Sequence, residues 1–162
     1  MKRISAVAVI FLCAISAQAG GEEAAIRKML DGWKVAFEAK DLAKVMTYYA
    51  PGDRVVAFDI VPPLEIVGRE NYRKNYQMFF DMYDGPIQFE FRDLRIVAEG
   101  HVAFIYAVER ITGVMKGGQK TDSWMRATSG LRKIDGKWLI VHDHISVPVD
   151  YETGKALLDL KP

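Results

Sequence analysis

Asp59 closes a short hydrophobic run, Arg54 to Asp59, and is followed by Ile60-Val61-Pro62-Pro63. A carboxylate among apolar neighbours loses hydration, which raises its pKa and suits it to general-base work. Bracing a loop or capping a helix is the other use of an aspartate in such a place. His142 and His144 stand two apart in a run of β character, so both imidazoles face one side, with Trp138, Ile140 and Ser146. Arg126 and Thr128 share a face with Trp124 on the preceding run. An arginine within an apolar strand is costly to bury without an anion. Arg126 therefore pairs with Asp59 or Asp122, awaits an acidic ligand, or reaches out at the sheet edge. If the Trp138 side faces inward, Asp59 can act as base while Arg126 and His144 polarise an oxygen. Trp33, Tyr48, Tyr76, Trp124, Thr128 and His142 are then the candidates for lining a ligand, with core packing as the other role of the aromatics.

His-x-His also offers two metal ligands, but a third would have to be Asp59 or an unplaced carboxylate. No metal and no other cofactor is expected. The chain has no G-x-S-x-G, no phosphate-cradling glycine loop and no H-E-x-x-H. Gly117-Gly118 reads as a turn.

The elements that must position these residues follow from the hydrophobic period. Ile26, Met29, Leu30, Trp33 and Phe37 form one helical stripe. Asp41 reads as the N-cap of a second, short helix carrying Leu42, Val45, Met46 and Tyr49, which Pro51-Gly52-Asp53 ends. Arg54 to Asp59 is a short strand. A third helix follows Gly68, with Tyr72, Tyr76, Phe79, Phe80 and Tyr83 on one face, and Gly85-Pro86 stops it. The period then changes from helical to alternating. Four β-runs follow, over 87–98, 101–115, 120–134 and 137–147, with Asp135-Gly136 a hairpin signal. This order predicts an α+β domain: three N-terminal helices packed in a strongly curved antiparallel sheet, shaped as a cone.

In the run from His101, Val102, Phe104, Tyr106 and Val108 alternate with Ala103, Ile105, Ala107 and Ile111, so both faces are largely apolar. One helical layer covers one face, and a homodimer through the outer face would cover the other. A sheet curled on itself with an apolar outer surface is the alternative.

Residues 4–17 carry no charge, follow Lys2-Arg3 and precede Ala17-Gln18-Ala19. This is the pattern of a secretory signal peptide, residues 1–19, too short for a comfortable membrane span. A single domain over residues 20–162 remains, secreted or periplasmic. Of the 22 basic side chains Lys2 and Arg3 leave with the leader, so 20 face 21 acidic ones. That balance excludes a nucleic-acid binder, which needs a basic surplus. The one cysteine, Cys13, falls in the leader, so no disulfide scaffold is expected, and no membrane attachment follows removal of the leader.

The order of elements resembles the superfamily of nuclear transport factor two, ketosteroid isomerase and the SnoaL-like polyketide cyclases, across essentially the whole domain. The stretches Trp124-Met125-Arg126-Ala127-Thr128 and Arg132 to Trp138, ending in His142-Asp143-His144-Ile145-Ser146-Val147-Pro148, are similar to the C-terminal half of SnoaL-like proteins. The resemblance to ketosteroid isomerase, whose acid–base tuning is a known case, implies a base at Asp59 ahead of Gly68. It places Trp33 and Thr128 where the isomerase has its oxyanion donors. Neither has the acidity that stabilises a dienolate well.

Three functions are expected to compete. The first is a lyase, isomerase or cyclase moving a proton next to a carbonyl. The second is a non-catalytic periplasmic ligand-binding dimer that shelters a small apolar or acidic molecule. The third is a structural dimer whose cone is plugged by Trp33, Tyr76 and Trp124.

Overall fold

The computed structural model describes residues 6–162, with side chains from Gly20 onward. The leader expected over residues 1–19 lies outside the residues described in full; the backbone from Ala6 runs into α1 (Ala6–Glu38). Among the described residues no helix is long and apolar enough to cross a membrane.

The α1 stripe buries Ile26, Leu30, Trp33, Ala36 and Phe37. α2 (Leu42–Val45) is capped by the Asp41 side chain, which accepts from Lys44 N at 2.9 Å. Its expected extension to Tyr49 tightens into a 3-10 turn, Met46–Tyr48. Tyr49 then leaves in extended conformation and bridges Ile140 in parallel, with Ala50 N donating to Ile140 O at 2.9 Å. β1 (Val56–Phe58) and β2 (Ile66–Val67) flank the Pro62-Pro63 loop, and α3 (Arg69–Asp81) follows Gly68.

Gly85-Pro86 does not stop that helix. α3 ends at Asp81, and β3 (Tyr83–Glu99) already includes the pair, which sits at a register shift between Asp84 and Gln88. Gly85 takes positive φ there, which only glycine adopts freely, and Pro86 needs no ladder donor where pairing lapses. β4 (Val102–Met115), β5 (Lys120–Ile134) and β6 (Lys137–Ser146) complete the meander.

The sheet order is β2-β1-β6-β5-β4-β3, antiparallel except where β1 runs parallel to β6. The sheet curves around the helices without closing, so the α+β cone is an open one. Its concave face carries Ala103, Ile105, Ile111, Met125 and Leu131, all buried in one core with Phe37, Tyr76 and Phe80 of the helical layer. On the convex face Val97, Val102, Phe104 and Tyr106 are exposed.

One irregularity decides the site. Gly130 pairs with His142, but Leu131 pairs with Ile140, so Val141 is an extra residue in β6. Such a bulge reverses which side chains point inward beyond it. Trp138 and Ile140 face the helices before the bulge, and Asp143 faces them after it.

Candidate functional site

Between the helical layer and the concave face lies a cavity of about 750 Å³. Aromatic and aliphatic side chains make most of its wall, including Trp33, Phe37, Phe89, Ile105 and Ile140. Its polar groups come from separate elements that the fold brings together. Tyr49 arrives from the strand-like exit of the 3-10 turn, Tyr72 and Tyr76 from one face of α3, Ser129 from β5, Glu109 from β4 and Asp143 from β6.

Asp143 is 4% exposed and accepts two hydrogen bonds on Oδ2, from the Tyr49 hydroxyl at 2.7 Å and the Tyr72 hydroxyl at 3.3 Å. The Tyr49 and Tyr76 hydroxyls are 2.7 Å apart. With Tyr49 donating to the carboxylate, Tyr76 donates to Tyr49, so the phenolic protons run toward Asp143. Burial pushes the three phenols well above their ordinary range, with Asp143 adding to it. They hold their protons throughout the physiological range.

Burial also raises Asp143, to about 6, against the opposite pull of Ser129, Tyr49 and Tyr72. Ser129 is its cross-strand partner on β5. Glu109 is 9% exposed, lines the same cavity and makes no hydrogen bond among the described residues. Burial, and then the charge of Asp143, push it up to about 8. At neutral pH the two carboxyl groups therefore differ: Asp143 is largely ionised and Glu109 largely protonated. A base poised near neutrality beside tyrosine donors can take a proton from a bound molecule and return it elsewhere.

Asp59, Trp33 and Tyr76 line the cavity as the sequence suggests. Asp59 sits at its mouth, half-buried, accepting from Asn75 Nδ2 at 2.8 Å and from Ile60 N at 2.6 Å. The remaining candidates stand elsewhere, and the Val141 bulge is the reason for both histidines. His142 is turned outward and its Nδ1 donates to Val56 O at 2.8 Å. His144 is exposed beside Phe58, their ring centroids 5.8 Å apart. Arg126 and Thr128 are exposed on the convex face, because the inward positions of β5 are Met125, Ala127 and Ser129. Trp124 is buried on that outer side, with the Arg110 and Arg92 guanidinium groups 5.4 and 5.9 Å from its ring. Tyr48 packs against Gly32, where its ring leaves no space for a side chain. Among the described residues no three His, Cys, Asp or Glu side chains converge as metal ligands.

The C-terminal segment adds to the mouth. Val149 bridges Ala156, Leu158 O accepts from Trp124 N at 3.1 Å, and Lys161 Nζ lies 3.2 Å from Asp122 Oδ2. These contacts carry Leu158 and Asp159 to the cavity rim.

Residues 26–150 match the SnoaL-like domain. The chain belongs to the SnoaL-like family. An NTF2-like protein of unknown function from Pseudomonas putida KT2440 is 34% identical, with a TM-score of 0.80, over 89% of this chain and 99% of that one. A dehydratase candidate of the NTF2-like family from Streptomyces avermitilis shares the SnoaL-like fold at 16% identity and a TM-score of 0.70, over 82% and 99% of the two chains. A ketosteroid isomerase-like protein from Erwinia carotovora atroseptica does so at 22% identity and 0.64, over 76% and 93%. No curated protein matches the chain.

Proposed function

We propose that this SnoaL-like protein is an enzyme that moves a proton next to a carbonyl group of a small, mostly apolar substrate. The observation that carries this reading is Asp143. Its carboxylate is buried at the wall of a ligand-sized cavity, fixed by two tyrosine hydroxyls and raised by burial to about 6. The base is thus Asp143 rather than Asp59, and it is held in place by Tyr49 and Tyr72, with Tyr76 donating to Tyr49, rather than assisted by Arg126 and His144. When Asp143 takes the proton, the fixed hydroxyls keep its orientation, so the same group can deliver that proton to a neighbouring atom. The dehydratase and isomerase descriptions of the two more distant relatives agree with chemistry of this type.

The test uses a panel of cyclic and aryl ketones in D₂O, followed by proton NMR. The wild type is expected to exchange the α-protons of at least one ketone faster than buffer, and Asp143→Asn to abolish that exchange. Exchange that persists in folded Asp143→Asn refutes the assignment.

The alternative, a binding module without turnover, rests on the same cavity and predicts ligand-induced stabilisation with no exchange. In either reading we infer that the convex face joins two copies, supported by the exposed Val97, Val102, Phe104 and Tyr106. The leader pattern in residues 1–19 supports export of the mature domain.

A further inference from the structure

The charged groups around the cavity are unequal in sign. Asp59, Glu109, Asp122, Asp143 and Asp159 line it, and Lys120 is the one cation among the described lining residues. Asp122 is matched by Arg110 Nε at 2.8 Å and by Lys161 at 3.2 Å, and Asp59 is held by Asn75. Asp143 has its tyrosines. Glu109 has no partner among the described residues, although only 9% of it is exposed and it faces the hollow. A carboxyl group that opens onto an apolar hollow without a protein partner is free to pair with a ligand that supplies one.

Position separates Glu109 from the reacting end. Ile105, Ser129 and Asp143 form one cross-strand row. Ala107 and Ala127 form the next inward row, and Glu109 and Met125 the one after it. One row of small side chains, Ala107 and Ala127, thus lies between the acid–base group and the unpartnered carboxyl. The wall beside Glu109 is rich in rings: Phe91 is its cross-strand partner, and Trp33, Phe37, Phe89 and Phe91 pack edge-on or stacked. Aromatic faces and carboxylates attract the same class of group, an organic cation.

We propose that the substrate of this cavity is an apolar molecule bearing a basic nitrogen, whose ammonium pairs with Glu109 while its reacting carbon lies at Asp143. This inference rests on the reading of the cavity as a small-molecule site. In the empty protein Glu109 keeps its own proton; an arriving ammonium takes the place of that proton and lets Glu109 ionise. Anionic ligands meet a lining of five acidic side chains and one lysine instead, which disfavours the acidic ligand that an inward Arg126 would have suited.

The experiment is a calorimetric titration of the full-length protein at pH 7 with three matched probes: 4-phenylbutylamine, 4-phenylbutan-1-ol and 4-phenylbutanoate. The amine is expected to bind at least tenfold more tightly than the alcohol, and the carboxylate most weakly. Glu109→Gln should bring the ratio of amine to alcohol affinity close to one. The comparison on the wild type stands alone if that variant folds poorly. Binding of the alcohol without preference for the amine, or a carboxylate that binds as well as the amine, overturns the proposal and leaves the cavity reading in place. Binding of none of the three overturns both.

Discussion

The Tyr49 hydroxyl lies 2.7 Å from Asp143 Oδ2, although the two residues are 94 positions apart and each is almost wholly buried. The contact depends on two local events. Tyr49 is delivered by the tightening of α2 into a 3-10 turn and its bridge to Ile140; Asp143 is turned inward by the extra residue Val141. Each event alone would leave a polar group facing apolar side chains.

Tyr49→Phe removes the donor at 2.7 Å and leaves Asp143 with the longer bond from Tyr72. The loss of a buried hydrogen bond of this kind costs about 1–3 kcal/mol of stability. Fewer donors to the carboxylate also raise its pKa further, so the acid limb of any pH–rate profile should move to higher pH. Chemical denaturation and a pH series on the exchange reaction check the two effects.

Asp143→Asn keeps the shape and hydrogen-bonding size of the side chain but cannot accept a proton. Loss of a general base lowers rates by about 100- to 10,000-fold. The expected outcome is exchange at the level of buffer with a circular dichroism spectrum equal to that of the wild type.

The folded protein binds protons that the unfolded chain releases. Asp143 and Glu109 are raised from 3.8 and 4.5 to about 6 and about 8. A carboxyl raised by folding favours the native state below its unfolded pKa and loses that advantage as pH climbs through the folded value. These two groups should therefore make stability fall between pH 3.8 and about pH 8, Asp143 acting up to about 6 and Glu109 from 4.5 upward. Asp122 acts in the other direction: its bond with Arg110 lowers it to about 2, so its contribution fades below pH 4. Glu109→Gln should flatten the alkaline decline, raising the melting temperature more at pH 8 than at pH 5. Scanning calorimetry across that range is the check.

Arg126→Ala and His144→Ala should leave cavity ligand binding and exchange unchanged, because both side chains are exposed on the convex face. Phe104→Glu or Tyr106→Glu should shift the protein toward the monomer in sedimentation, since the same face is the inferred junction between two copies. Reduced exchange in the Arg126 or His144 variants, with the assembly intact, would speak against a site confined to the cavity.

Nearly all of the fold is legible in the sequence, because long periodic segments report their own burial. The stripe Ile26 to Phe37 and the alternation through β4 are examples. The site is less legible. Alternation carried straight from Trp138 puts His142 and His144 inward; no composition signal marks Val141 as an extra residue, so the reversal of faces is visible only in the register. Tyr49 and Tyr72 follow helical spacing and read as packing, which they also do. Glu109 is different. It occupies an inward position between Ala107 and Ile111, and a reading that counts only the apolar members of that face passes over it. A lone carboxylate at an inward position of a strand is the signal that was there to be read.

The most direct measurement is a carbon-13 NMR titration of the side-chain carboxyl groups of Asp143 and Glu109, assigned with the Asp143→Asn and Glu109→Gln variants. Separate midpoints near 6 and 8 are expected, each group sensing the loss of the other. Midpoints for both at or below the ordinary carboxylate range would contradict the buried acid pair and the proton transfer built on it.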